Sequence, residues 1–352
     1  MNHHRLFAGT FPAACFALAF TAVAQPQLPL PQPSPAAGVS QTIGITEVKV
    51  SYHRPAVKGR VVWGGLVPWG EVWRAGANEN TTVIFSKAAK VGGKDVPAGT
   101  YGLHMIPTRS EWTIILNKNA TSWGSYFYNE TEDALRIAVT PQPGEFREWL
   151  QFEFSDLTDS SAVLSLCWEK MRIPIPIAVD TRSQVLVHAR DEFLRGPAGF
   201  RWQGFDQAAQ YALRNGGDLN EALKWANKST DIAQTFTNLH TKGSVLDALG
   251  KKEEAAPLYA KAMKMAATEA EVNTLGYALM GQNKMKEAIA MFEKNVKDYP
   301  DSWNVYDSLG EALEKTGDVK GSIQNYEKAL KRATDETNKN RINATIKRLR
   351  GN

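Results

Sequence analysis

Residues 272–300 read V-N-T-L-G-Y-A-L-M-G-Q-N-K-M-K-E-A-I-A-M-F-E-K-N-V-K-D-Y-P. Leu275, Gly276, Leu279, Ala288, Phe292 and Pro300 punctuate this stretch, with a polar glycine turn between two apolar helical stripes. Leu309, Gly310, Leu313, Ser322, Tyr326 and Ala329 repeat the pattern 34 residues later (309 − 275). Gly243, Leu246, Ala255, Tyr259 and Ala262 repeat it 33 residues earlier (276 − 243), and Ala222 and Ala226 mark a weaker first copy. A fixed period of this length describes a helix pair that cannot bury its apolar face alone and does so by stacking on the next. The small residues let two helices approach closely, and the aromatic is expected to fill the gap between neighbouring pairs. A helical solenoid therefore runs over 203–352. Asp335–Arg350 reads as a basic capping helix that covers its last apolar face.

These positions resemble the tetratricopeptide repeat family over roughly 203–333. The resemblance implies that extended peptides or proteins bind the concave face, which the first helix of each pair lines. Asn238, Lys242, Asn273, Tyr277, Asn304 and Asp307 are the candidate contacts there. The competing role for a short array is to support its neighbour or to form a dimer.

Working toward the N-terminus, residues 180–202 read as a connecting helix and loop, broken at Gly196-Pro197-Ala198-Gly199. Residues 39–179 change period. Short alternating runs such as Ile43 to Tyr52, Thr81–Ser86, Tyr101–Ile106 and Trp112–Asn117 predict strands. Further strands are expected at Leu135–Val139, Trp149–Phe154, Ala162–Trp168 and Met171–Val179. Gly92-Gly93 predicts a tight hairpin turn. Pro174 and Pro176 place the last strand at an edge or at the exit from the domain. Together these predict an antiparallel β-sandwich or a barrel.

Residues 25–38 form a proline-rich tether. Residues 1–24 have a short basic start, an apolar stretch and the small-residue pattern Ala22-Val23-Ala24, which together predict an export signal cleaved after Ala24. The expected location is periplasmic or extracellular. No later segment is apolar enough to span a bilayer. Cleavage leaves Cys167 as the one cysteine, so no internal disulfide is expected, and its apolar strand pattern predicts a buried thiol. The net charge of +4 is small and no basic stripe interleaves with aromatics, which argues against nucleic acid.

The segment His53–Phe85 is both cationic and aromatic. It carries R-P-A-V-K-G-R and W-G-G-L-V-P-W-G-E-V-W-R-A-G-A-N-E. With V-S-Q-T-I-G before it and V-P-A-G-T-Y-G-L and D-S-S-A-V-L-S-L-C-W-E-K after it, the half over about 39–178 resembles the DUF2911 family. That resemblance implies a secreted bacterial β domain, often followed by helical repeats, and brings no established activity.

Within this segment Arg54, Lys58, Arg60 and Arg74 are candidates for an anion site, because guanidinium groups pair bidentately with carboxylate or phosphate. Trp69, flanked by Trp63 and Trp73, offers an apolar face to a sugar or aromatic ligand, and Asn78 and Glu79 offer polar direction. The alternative is that the tryptophans cap the core and Arg74 pairs with Glu79. His53, His104, His188 and His240 have no zinc-site spacing, and no cofactor fingerprint is present, so no metal or cofactor is expected. The sequence thus predicts a non-catalytic exported protein. Its solenoid binds a protein or peptide, and its sandwich takes a small polar or saccharide ligand or docks the solenoid. The rival is a hydrolase of cell-wall or polysaccharide material, using a carboxylate pair from Glu71, Glu79, Glu130, Glu132 and Asp133 beside Trp123, Tyr126 and Tyr128.

Overall fold

The computed structural model describes residues 30–266 and 268–351. The export signal and the first part of the tether lie outside them. Ten strands occur among the described residues: β1 (Ala36–Ile43), β2 (Thr46–His53), β3 (Thr82–Phe85), β4 (Ala89–Val91), β5 (Lys94–Val96), β6 (Gly99–Ile106), β7 (Trp112–Asn117), β8 (Asp133–Val139), β9 (Gln142–Ser155) and β10 (Ser161–Ala178). They form two antiparallel sheets, ordered β1-β2-β3-β6-β7-β8 and β5-β4-β10-β9. The result is a sandwich, not a closed barrel. The strand pattern explains why: Val48, Val50 and Tyr52 are buried while Glu47 and Lys49 alternate outward. Leu103, Met105, Trp112 and Ile114 from one sheet meet Leu150, Leu164, Leu166 and Ile173 from the other. Each such side chain contributes roughly 1.5–3 kcal/mol on burial.

Three details refine the sequence reading. Ala36, Ala37 and Gly38, read as tether, already pair with His53, Tyr52 and Ser51. The two runs after Ser161 are one strand, bent by register shifts around Glu169, whose φ is +54°. This strand is not an edge, since β4 and β9 flank it. Pro174 and Pro176 are tolerated because pairing with β9 ends at Arg172 and pairing with β4 starts at Ile177. Gly92 and Gly93 have φ of +55° and +81° and make the tight β4–β5 turn.

Helix α1 (Thr181–Asp191) leaves β10 and seats against the sandwich. The Thr46 hydroxyl donates to Gln184 Oε1 at 2.6 Å, and Gln184 Nε2 donates to the Ala88 carbonyl at 2.6 Å. Then come α2 (Trp202–Arg214), α3 (Leu219–Ile232), α4 (Phe236–Ala248), α5 (Lys252–Met265), α6 (Glu269–Gly281), α7 (Met285–Asp298), α8 (Trp303–Lys315), α9 (Val319–Arg332) and α10 (Glu336–Leu349). Helices α2 to α9 stack as four antiparallel pairs.

The aromatic of each repeat sits inside its own pair, not between neighbouring pairs. A Cβ on Gly243, Gly276 or Gly310 would lie 2.7, 2.4 or 3.3 Å from the ring of Tyr259, Phe292 or Tyr326. The first pair reaches the same fit with Ala209 and Ala226, both fully buried at the equivalent positions (243 − 34 and 259 − 33). Ile342 and Ile346 of α10 bury the last face, against Val305, Tyr306 and Tyr326.

Candidate functional site

The His53–Phe85 segment is largely committed to the sandwich. Trp63 meets Trp73, Trp112 and Trp168 edge-on at 4.9–5.9 Å between ring centroids. Trp69 is half-buried, its ring lying over Gly64 and under the Arg109 guanidinium at 5.8 Å. Residues 54–57 cover the open edge of β9. Leu150 N donates to Pro55 O at 3.0 Å, and Val57 N to Glu148 O at 2.8 Å.

The cations of this segment serve that cover. Arg54 Nε donates to the Leu150 carbonyl at 2.8 Å, and Arg60 Nη2 to the Ala56 carbonyl at 2.6 Å. Lys58 is exposed with a φ of +47°, and its backbone N–H donates to Glu148 at 2.9 Å. Arg74 packs on Gly124 and donates to the Asn78 carbonyl at 3.1 Å. Asn78, at a φ of +59°, reaches the Ser34 carbonyl at 3.4 Å. The Arg74–Glu79 ion pair of the alternative reading does not form; Glu79 lies 3.3 Å from His53 Nδ1. Each guanidinium is thus turned to its own carbonyl rather than to a shared centre.

Behind this segment lies a polar knot that joins His104, Tyr128 and Asp133, residues the sequence reading named separately. His104 is 2% exposed, and its Nδ1 is 2.9 Å from Ser125 Oγ. Tyr128 donates to Asp133 Oδ2 at 2.7 Å, and Asn117 Nδ2 to Asp133 Oδ1 at 2.8 Å. Burial pulls the His104 pKa down to about 4, against the opposing charge of Asp133. Burial also pushes the Tyr128 hydroxyl well above its ordinary value, with Asp133 adding to the shift. Asp133 is therefore occupied as an acceptor, and Glu130 pairs with Arg136. The knot ties down a loop on which Trp123, Tyr126 and Phe127 are exposed. Among the described residues no cluster of three His, Cys, Asp or Glu is placed to hold a metal ion. No described helix is long and apolar enough to cross a membrane.

The solenoid carries a groove of about 420 Å³, lined by the first helices of three successive pairs. Gln210, Leu213 and Arg214 come from α2, Phe236, Thr237, His240, Thr241 and Ser244 from α4, and Ala270, Glu271 and Thr274 from α6. Two of the sequence candidates on α4 fall one residue past this lining. Asn238 is fully buried and completes a capping box with Thr235. Its amide donates to the Ala233 carbonyl at 2.7 Å. Lys242 is half-buried beside Thr241. The T-x-x-N pattern at 235–238 was the signal that would have set this register.

Asn273 is half-buried next to the lining residue Thr274. Tyr277 donates to Glu311 Oε2 at 2.9 Å, and its hydroxyl pKa is pushed up to about 12, chiefly by burial. Asn304 donates to Glu269 at 3.2 Å, and Asp307 accepts from Arg341 at 2.9 Å.

Residues 34–177 match the family model described as "Protein of unknown function (DUF2911)", and residues 237–269 and 304–336 match the tetratricopeptide repeat model. The chain carries a DUF2911 domain followed by tetratricopeptide repeats. No curated protein matches the chain. Among solved structures, the tetratricopeptide protein YrrB, described as having an unusual peptide-binding site, is 14% identical over 46% of this chain and 84% of its own, with a TM-score of 0.34. MamA from Desulfovibrio magneticus RS-1 is 19% identical over 44% of this chain and 85% of its own, with a TM-score of 0.34. A repeat-containing protein from Cytophaga hutchinsonii is 13% identical over 48% of this chain and 67% of its own, with a TM-score of 0.37. The DUF2911 domain thus holds the tryptophan cluster and the polar knot, and the tetratricopeptide repeats hold the groove.

Proposed function

We propose that the protein is an exported, non-catalytic binding protein whose solenoid takes an extended peptide segment in the groove of α2, α4 and α6. One observation carries this reading: three successive repeats turn hydroxyl, amide and imidazole groups into one continuous concavity. Polar groups spaced along a trough suit a peptide backbone better than a single compact ligand. The DUF2911 domain acts as the platform, since α1 fixes the start of the solenoid to the sandwich through Gln184. Export rests on the signal read in residues 1–24.

The test is selection of peptides from a random display library on the full mature chain, followed by titration of the winners. Ser244→Arg and Thr274→Arg each place a long side chain in the trough. Both are expected to weaken binding at least about tenfold, a loss of about 1.4 kcal/mol. Peptides that bind both variants as well as the parent would move the site out of the groove. Recovery of the protein in the cytoplasmic fraction of its host would remove the export half of the reading.

A further inference from the structure

Four residues occupy one position in the four successive helix pairs: Asp206, His240, Asn273 and Asp307, spaced by 34, 33 and 34 residues. Each has a buried side-chain atom without a hydrogen-bond partner, namely Asp206 Oδ1, His240 Nε2, Asn273 Oδ1 and Asp307 Oδ1. Buried polar atoms are nearly always paired, so the same vacancy at the same repeat position, four times over, points to a shared role. Three of the four are obligate acceptors, and two belong to carboxylates that are only 3% and 9% exposed. The row therefore asks for donors, and for positive charge.

The chain itself supplies a precedent. Arg341 of α10 stands one period beyond Asp307 (341 − 307 = 34), and its Nη2 donates to Asp307 Oδ2 at 2.9 Å. A guanidinium is thus what the row already accepts at its C-terminal end. Asp206 at the other end has neutral donors, the Gln210 amide on Oδ2 at 2.9 Å and the Thr241 hydroxyl. Arg214 borders the groove but lies beyond ion-pair distance of Asp206. Gln210, which bonds both Asp206 and Thr241, His240 itself, and Thr274 beside Asn273 line the groove.

We propose that the groove selects an extended segment with arginine at every third residue, whose guanidinium groups pair with the rungs Asp206, His240 and Asn273 as Arg341 pairs with Asp307. This deepens the peptide-binding reading above and rests on it. The spacing follows from geometry. Helices α2 and α4 pack directly on each other and so lie about 8–10 Å apart, which sets the step from Asp206 to His240. A polyproline II strand repeats its side-chain direction every three residues, about 9 Å. Arginine is preferred to lysine because its fork offers five donors, and a rung presents more than one acceptor.

The experiment measures fluorescence anisotropy of labelled twelve-residue peptides on the full mature chain. One has Arg-Pro-Pro repeated. Its controls carry Gln or Glu in place of every Arg, or the same arginines clustered at one end. The Arg-Pro-Pro peptide is expected to bind at least tenfold more tightly than each control. Asp206→Asn should remove most of that margin while the circular dichroism spectrum and melting temperature stay unchanged. Asp307→Asn, whose partner is internal, should leave the margin intact. Equal binding of the Gln or clustered peptide, or an unaltered margin in Asp206→Asn, overturns the proposal. If library peptides still bind and are lost in Ser244→Arg, only the arginine preference has failed. If no peptide binds at all, the peptide-binding reading fails with it.

Discussion

At the scale of single residues, His104 is the most informative group in the DUF2911 domain. Its imidazole is buried and its pKa is drawn from 6.5 to about 4, so the folded domain holds it neutral. In the unfolded chain it takes up a proton near its ordinary value. Stability is therefore complete above about pH 6.5 and declines as the pH falls toward 4, with a full cost of about 3 kcal/mol. Urea unfolding followed on the β-domain transition at about pH 7.5 and about pH 4.5 measures this. His104→Gln keeps an amide beside Ser125 but cannot titrate. It is expected to lose about 2–3 kcal/mol less than the parent over that interval. An identical loss in both proteins would assign the acid sensitivity to other groups.

At the scale of elements, the closeness of each helix pair is set by a glycine facing a ring. Gly276 and Gly310 look alike in sequence but differ in space. A methyl at Gly276 would sit 2.4 Å from the Phe292 ring, whereas one at Gly310 would sit 3.3 Å from Tyr326. Gly276→Ala should therefore overpack the pair and destabilise the solenoid by about 1–3 kcal/mol. Gly310→Ala needs only a small give, and its better helix propensity returns roughly 1 kcal/mol, so it should be neutral or stabilising. Thermal melts of the two variants compare them, and equal shifts would show that α6 and α8 relax alike. The same contrast marks what the sequence could reveal. The repeating glycine and aromatic are legible because period alone identifies them, and so are strands such as β7, whose residues 112–117 come out as read. The groove register on α4 was missed by one residue because a side chain's direction turns about 100° per residue. The contacts of the arginines were illegible for a different reason. Whether Arg54 meets a ligand or a carbonyl depends on Leu150, 96 residues away, and no local pattern records that contact.

At the scale of the whole molecule, two units with different periods are joined by one short helix, and its hold on the sandwich decides whether they move together. Thr46 is fully buried, and its hydroxyl has Gln184 Oε1 as its acceptor; the same side chain feeds the Ala88 carbonyl ahead of β4. Gln184→Ala would leave the buried Thr46 hydroxyl unpaired, while the exposed Ala88 carbonyl turns to water. A loss of this kind costs about 1–3 kcal/mol, because the hydroxyl forfeits water on folding and gains nothing in exchange. It falls on α1 and not on the distant pairs, since α8 and α9 are stabilised by their own rings and by α10. Hydrogen exchange therefore separates a local effect from a global one. Amides of α1 in Gln184→Ala should exchange roughly tenfold faster for each 1.4 kcal/mol lost, while those of α8 and α9 keep their parental rates. Equal acceleration in both regions would mean that the chain unfolds as one cooperative unit. Unchanged exchange in α1 would mean that Thr181, which donates to the Asp159 carbonyl at 2.9 Å, holds the junction by itself.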